Sequence, residues 1–490
     1  MSTVLIPGPA LETLSDPKSI GDSTKPSTVE VVRVVAVYLA TIVISVLLFF
    51  LIRSRGEGLI APGVSGFGSA APETQIATFA HVLLALLVVL AVSRLSRAVF
   101  RVMHQPAVIG EIVAGIMLGP SLLGYIAPGI SSYLFPASLA PSLNLISQAG
   151  VVVFMFLIGL EFNPRLLMTR SHAALAISHA SIIVPFLLGS SLALVIYPTY
   201  ATGDVPFTVF AMFMGISLSV TAFPVLARIL TERRLQATDV GTVALTCAAV
   251  DDATAWCLLA VFIGVAQAMT AQGFFTAYLT IAYVMVMFGL VRPLFVRLVR
   301  RFDDAVPSQG ALALVMTGML LSSLATEFIG IHAIFGAFLM GAIIPHDTRL
   351  ARRLVDNLEN VVVVVLLPMF FAFTGLRTQI GLINGASAWL LCGVLILLAT
   401  LGKFGGSIFA ARFTGMRWRE AAILATLMNT RGLMELIVLN IGLDLKILSP
   451  ALFAMLVIMA LVTTFLTTPV LDLLYRGHQS GERRPVTIAV

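Results

Sequence analysis

The chain has 490 residues, 59% of them hydrophobic and 11% charged, with a mean hydropathy of +1.02. Soluble domains carry about 25% charged residues, so a soluble enzyme of this length is excluded. The net charge of +6 is scattered over short loops and marks no nucleic-acid surface. Apolar runs of about 20 residues recur along the chain, the length that a helix needs to cross a bilayer. The predicted class is an all-α polytopic membrane protein.

In chain order, residues 1–30 read as a flexible cytoplasmic tail. About 14 transmembrane helices follow, over 31–53, 76–98, 106–122, 142–161, 172–197, 206–230, 239–267, 273–299, 308–328, 331–346, 356–377, 386–412, 419–443 and 449–474. Residues 475–490 form a short tail. The segments 106–122 and 331–346 are short for a crossing, and paired short or interrupted segments point to a transporter site. Most arginines fall in every second loop, among them Arg94, Arg97, Arg101, Arg228, Arg233, Arg349 and Arg352, whereas the opposite loops hold Arg53, Arg55, Arg377 and Lys446. Basic loops stay in the cytoplasm, so both termini are expected there, in the plasma (inner) membrane. Cys247, Cys257 and Cys392 all lie in apolar segments without metal-ligand spacing, and are read as packing residues.

Segments seven helices apart resemble one another. Gly110–Gly115 in the third is matched by Gly336–Gly341 in the tenth, and Gly159-Leu160 in the fourth by Gly375-Leu376 in the eleventh. The sixth carries Ser219-Val-Thr221-Ala-Phe-Pro224, and the thirteenth Asn429-Thr430-Arg431-Gly432. An odd offset inverts the second copy, so the chain is predicted to hold inverted repeats at 76–267 and 308–474, with 273–299 as a linker helix and 31–53 as an extra N-terminal helix. Pro224 removes a backbone donor and clashes with the preceding turn, and Thr430-Arg431-Gly432 is a flexible counterpart. Two crossed, interrupted helices at the midplane are expected, since unwound backbone at membrane depth survives only inside protein or along a cavity.

Asp251 and Asp252 sit in the middle of the seventh segment. A charge at the bilayer centre costs at least ~2.5–3.5 kcal/mol, so this pair marks a site that handles a proton or a cation. Adjacent helical residues point about 100° apart. One acid can therefore face a buried partner, for which Lys403 is the deep candidate, while the other faces water. A carboxylate cannot hold a proton and a cation well together, so Asp252 is predicted to carry H+ and Na+ or K+ by turns. Ser219 and Thr221 offer hydroxyl oxygens that suit hard cations, or cap the break. Arg431 and Glu435, four apart, form a pair on one helical face. Glu111 is a lone acid, either structural or on an access path. Glu161, Glu327, Arg377 and Asp444 lie near span ends, where charged tips reach water cheaply. His81 and His179 fall within spans, and His104, His172, His332 and His346 near their ends.

Six stretches in order resemble the monovalent cation:proton antiporter superfamily, nearest its Kef-like and plant cation/H+ exchanger branch. They are Gln105–Tyr125, Phe154–Arg165, Ser219–Thr231, Ala249–Cys257, Gly402–Ser407 and Asn429–Asp444, within a resemblance covering about 76–475. The resemblance implies the sodium/proton antiporter fold, a core of crossed broken helices moving against a dimerisation domain, and pH homeostasis by a homodimer in lipid. It makes Asp252 the ion- and proton-carrying residue, with Asp251 and Lys403 as the pair of the electrogenic, two-acid members. Many Kef-like relatives have Asn or Gln where Asp251 stands. The expected function is electrogenic antiport of a monovalent cation against H+, with elevator-like access, no cofactor and no enzymatic reaction. The alternative is a cation channel or uniporter, which would need no competing proton step.

Overall fold

The computed structural model describes residues 28–56, 79–103, 105–161, 172–203, 205–233, 235–236, 238–268, 273–303, 309–345 and 348–479. The predicted tail residues 1–27 and 480–490, with His104 and His346, lie outside the described residues. Apart from one isolated bridge between Ala201 and Leu448, the described residues hold no β-structure. The tails are shorter than predicted: α1 (Thr28–Gly56) starts before residue 31, and the last helix runs to Gln479.

Apart from two short helices at Leu123–Ile126 and Pro128–Leu134, between the third and fourth predicted segments, the helices follow those segments. They are α2 (Phe79–Val102), α3 (Ala107–Leu118), α4 (Ala140–Glu161), α5 (His172–Tyr200), α6 (Phe207–Ser219), α7 (Phe223–Glu232) and α8 (Asp239–Ala268). Then come α9 (Gly273–Val286), α10 (Arg292–Asp303), α11 (Gln309–Ile329), α12 (Ala333–Ile343), α13 (Arg349–Val361) and α14 (Leu367–Arg377). The last four are α15 (Gly385–Phe413), α16 (Trp418–Met428), α17 (Leu433–Asp444) and α18 (Pro450–Gln479). Single π-turns at Met287–Val291 and Val362–Leu366 join α9 to α10 and α13 to α14.

Among the described residues, 11 helices are long and apolar enough to cross a membrane, or 12 when the bent pair α16–α17 counts as one span. The predicted count of 14 is thus not reached by length and composition. The clearest shortfall is α12. Its 11 residues make about 16 Å of helix at ~1.5 Å per residue, about half of a hydrocarbon core.

The glycine-bearing segments of the two repeats pack crosswise rather than on their own repeat equivalents. α3 packs on α14, and α12 packs on α4. A Cβ on Gly115 would lie 2.1 Å from the Ala372 carbonyl oxygen, and one on Gly375 2.4 Å from that of Ile112. At the second crossing, a Cβ on Gly159 would lie 2.2 Å from the Phe338 oxygen, and one on Gly341 2.3 Å from that of Phe156. Real Cβ atoms do not approach a backbone oxygen so closely. The glycines permit backbone-to-backbone packing, the usual device for helices in lipid. A second group of helices, α5, α6, α8, α15, α16 and α18, surrounds the two breaks. Gly406 of α15 lies against the Ala180 carbonyl of α5, where a Cβ would come within 2.3 Å.

Candidate functional site

The site is built where two helices stop halfway. α6 ends at Ser219, Val220 is extended (φ −64°, ψ 137°), and α7 starts at Phe223 with Pro224 in its first turn. α16 ends at Met428 and α17 starts at Leu433, with a bend of 43° between them. Helix ends leave carbonyl and amide groups without intrahelical partners, and each break supplies what the other lacks. The Ala222 amide donates to the Thr430 oxygen at 3.0 Å. The Thr221 hydroxyl reaches the Met428 oxygen at 3.2 Å.

Arg431 sits in the second break and is buried. Its guanidinium donates to the carbonyl oxygens of Ser217 (2.8 Å) and Leu218 (2.6 Å), in the last turn of α6. A cation belongs there, because the carbonyl end of a helix carries partial negative charge. The same guanidinium donates to Glu435 at 2.9 Å, the predicted pair. Thr464 of α18 clamps the break by accepting from the Arg431 amide and donating to its carbonyl, both at 2.9 Å.

The two adjacent carboxylates live in different surroundings. Asp251, 1% exposed, is saturated with donors. Ser178 donates to Oδ1, and Ser181 (2.9 Å), Thr221 (2.7 Å) and Lys403 (3.2 Å) donate to Oδ2. Lys403 Nζ also donates to Thr221 Oγ1 at 2.5 Å. Ion pairs this deep depend on further hydrogen bonds to their remaining lone pairs and protons, and here three hydroxyls serve Asp251 while Thr221 gives Lys403 a second acceptor. Asp252, 7% exposed, has as its hydrogen-bond partner the Phe223 amide at 3.5 Å, at the outer limit of such a bond. That amide belongs to the N-terminal turn of α7, the end of a helix that favours negative charge.

A cavity of about 400 Å³ lies beside the start of α7. Phe223, the residue whose amide faces Asp252, lines it together with Pro224, Ala227 and Arg228 of α7. Its other walls come from α3 (Glu111), α4 (Leu157, Ile158) and α13–α14 (Glu359, Phe371). It is wide enough for water, and Phe223 is the residue it shares with the surroundings of Asp252. The chemistry available is a carboxylate with spare oxygen lone pairs, beside hydroxyl groups, unwound backbone and water. Such oxygens suit a proton or a hard monovalent cation.

The predicted residues divide accordingly. Asp251, Lys403 and Thr221 form one hydrogen-bonded cluster next to Asp252. Ser219 stays apart from it, since its hydroxyl donates to the backbone oxygens of Gly215 and Ile182. Thr430 closes the end of α16 by donating to Leu427. Asn429 keeps a buried side-chain oxygen without a hydrogen-bond partner, and so does Glu435. Glu111 is not at the crossing. It lines the cavity and pairs with Arg97 at 3.6 Å. Arg377 and Asp444, read as separate span-end groups, are bonded to each other at 2.6 Å. Ser178 and Ser181 were missed by sequence reasoning. A serine within an apolar helix carries little signal, and only their spacing of three, which puts them on one helical face, sets them apart.

Helices of this kind, glycine-packed and crossing at two breaks around buried acids, define an integral membrane protein of the ion-exchanger class. Residues 82–476 match the family described as "Sodium/hydrogen exchanger, transmembrane", and the chain belongs to that family. It is 43% identical over 401 residues to the Na+/H+ antiporter NhaS4 of Synechocystis, covering 81% of this chain and 98% of that protein. It is 38% identical over 409 residues to cation/H+ antiporter 20 of Arabidopsis thaliana, and 35% over 411 residues to K+/H+ antiporter 1 of Saccharomyces cerevisiae. These alignments cover 81% of this chain, but 48% and 47% of the plant and yeast proteins, so the chain spans about half their length. Among solved structures, the sodium proton antiporter MjNhaP1 of Methanocaldococcus jannaschii superposes with a TM-score of 0.60. That match covers 81% of this chain and 98% of the archaeal one at 13% identity, a likeness of fold.

Proposed function

We propose that the protein exchanges a monovalent cation, Na+ or K+, for H+ across a membrane, with Asp252 as the group that the two ions occupy in turn. The observation that carries this reading is the contrast between the two acids. Asp251 has four donors, whereas Asp252 has one long bond and lies beside a residue that lines the cavity. Family membership and the relatives named as Na+/H+ and K+/H+ antiporters support the exchange.

In the proposed cycle, a cation entering through the cavity meets the Asp252 carboxylate and displaces its proton to water. The helices around the crossing then shift as a body against the α2–α4 and α11–α14 group, and Asp252 opens to the other side. There the cation leaves, a proton takes its place, and the body returns. Asp251 and Lys403 hold the neighbouring charge, and release of Lys403 from Asp251 would add a second proton and make exchange electrogenic. Arg431 and Glu435 hold the breaks in place. The proposed setting is a plasma or inner membrane with both termini in the cytoplasm, and a homodimer in lipid.

Reconstituted in sealed vesicles with an internal pH dye, the protein should move protons when Na+ or K+ is added outside, at clamped voltage. Asp252→Asn should fold, by an unchanged thermal transition, and show no cation-driven proton movement. Full exchange by that variant would remove Asp252 from the mechanism. Cation flux without proton counterflow would identify a channel or uniporter.

A further inference from the structure

We propose that the contact between α14 and α17 is a latch that sets which side Asp252 faces, with Thr374, Arg377, Asn440 and Asp444 as positioning residues for the exchange. The proposal rests on the exchange reading above, and it concerns the side of the molecule away from the cavity.

Arg377 ends α14. Its guanidinium donates to Asn440 Oδ1 at 3.0 Å and to Asp444 Oδ1 at 2.6 Å, and it lies over the Phe373 ring at 5.6 Å. Asn440 in turn donates to Thr374 Oγ1 at 2.8 Å and to the Leu436 oxygen at 2.9 Å. Three side-chain bonds therefore tie α14, in the glycine-packed group, to α17, the half-helix that starts at the break. Asp444 is the last residue of α17, where the partial negative charge of the helix end adds to its own. A single arginine answers both. The pair is neither fully buried nor open, with side chains 22% and 34% exposed. It can close without the penalty of deep burial and still be weakened by water.

The inverted repeat shows why this contact reports a state rather than a fixed strut. The end of α14, Phe370-FAFTGLR, aligns with the end of α4, Phe154-MFLIGLE. Thr374 thus equates with Ile158, and Arg377 with Glu161. The half-helix α17, beginning just after one break, equates with α7, beginning just after the other. The α14–α17 seam is bridged by the latch. At the equivalent α4–α7 seam, Leu157 and Ile158 on one side and Ala227 and Arg228 on the other all line the cavity. Two seams that the repeat makes alike differ: three side-chain bonds span the α14–α17 seam beside a cavity of about 30 Å³, whereas the α4–α7 seam lines one of about 400 Å³. A shift of the crossing helices that closes the cavity has to part α14 from α17. The latch is the polar contact that must break, and its strength biases the equilibrium towards the cavity-open form.

The test reads the cavity directly. In a background with Cys247, Cys257 and Cys392 changed to Ala, Ala227→Cys places a thiol in the cavity wall, and its labelling by a membrane-impermeant maleimide measures how long the cavity is open. Arg377→Ala and Asp444→Ala should each slow labelling by roughly five-fold or more, the lower end of the range for a coupling between two states. The double swap Arg377→Asp with Asp444→Arg should return the rate towards that of the parent. As a second arm, Thr374→Cys with Asn440→Cys, which itself removes two latch bonds and is compared with itself, should lose its remaining exchange when bridged by mercuric ion and recover that level with excess thiol. Labelling within about two-fold of the parent in both single variants, or exchange undiminished by the bridge, would overturn the latch. The labelling arm needs no transport. A parent that labels as described but exchanges nothing would count against the exchange reading and leave the latch standing.

Discussion

Asp251 and Asp252 are one residue apart in the chain and belong to different chemistry. Four donors hold the geometry of Asp251. Lys403 supplies the only positive charge among them, so Lys403→Ala leaves a buried anion with hydroxyl donors alone. Breaking a buried pair by removing one partner costs about 3–5 kcal/mol, and the variant should unfold at a clearly lower temperature. If Lys403 also counts in proton transfer, the charge moved per cation changes with it. Unchanged voltage dependence in Lys403→Ala would take the lysine out of the proton count. Ser178→Ala and Ser181→Ala each remove one donor from the same carboxylate and should cost about 1–3 kcal/mol, with less than additive losses in the double variant, because both act on one group. Heat denaturation of purified protein measures all of these. Asp252→Asn, by contrast, touches one long hydrogen bond and should leave the transition where it was.

At the scale of elements, both breaks were legible because their punctuation is chemical. Pro224 cannot continue the α6 hydrogen-bond ladder, and Thr430-Arg431-Gly432 interrupts an apolar helix with polar and permissive residues. That the two breaks bond to each other, Ala222 to Thr430, was not legible, since nothing local in either segment names its partner. Arg431 shows the same limit. Its pairing with Glu435 follows from helical spacing, whereas its grip on the Ser217 and Leu218 carbonyls joins residues more than 200 positions apart. The glycine crossings were half legible: the repeat identified the glycines, and the fold paired them. Gly115→Ala pushes a Cβ against the Ala372 oxygen and should destabilise by about 1–3 kcal/mol, the usual penalty for overpacking. Gly129→Ala meets nothing within 4 Å and should stay within about 0.5 kcal/mol of the parent. Equal thermal shifts for the two would show that close approach is not what these glycines provide.

At the scale of the whole molecule, exchange is a linkage between two ligands for one carboxylate. If H+ and the cation exclude each other at Asp252, each must weaken the other by the same factor. On the limb where the proton is bound, lowering the pH by one unit should raise the half-saturating cation concentration about tenfold, with little change in maximal rate. On the limb where Asp252 is already ionised, further alkalinity should leave that concentration unchanged. The sign follows from competition alone, and measuring cation-driven proton flux from pH 5 to 9 in clamped vesicles checks it. A maximal rate that falls while the half-saturating concentration stays constant would place the proton at some other group. Glu111, on the cavity wall beside Arg97, would be the next one to test.

The amino-acid sequence by itself determined the membrane class, the family, the apolar segments, both helix breaks and the identity of the paired acids. Each of these is written in local composition, in a short motif or in a repeat along one chain. The tertiary structure alone decided which acid has four donors and which has one long bond, that Ser178 and Ser181 serve Asp251, and that Arg377 reaches Asp444. Those outcomes depend on distances between segments far apart in the chain. A side chain's surroundings at membrane depth are set by whichever helices pack around it, and hydrogen bonding in that dry space is satisfied across the fold rather than along the chain.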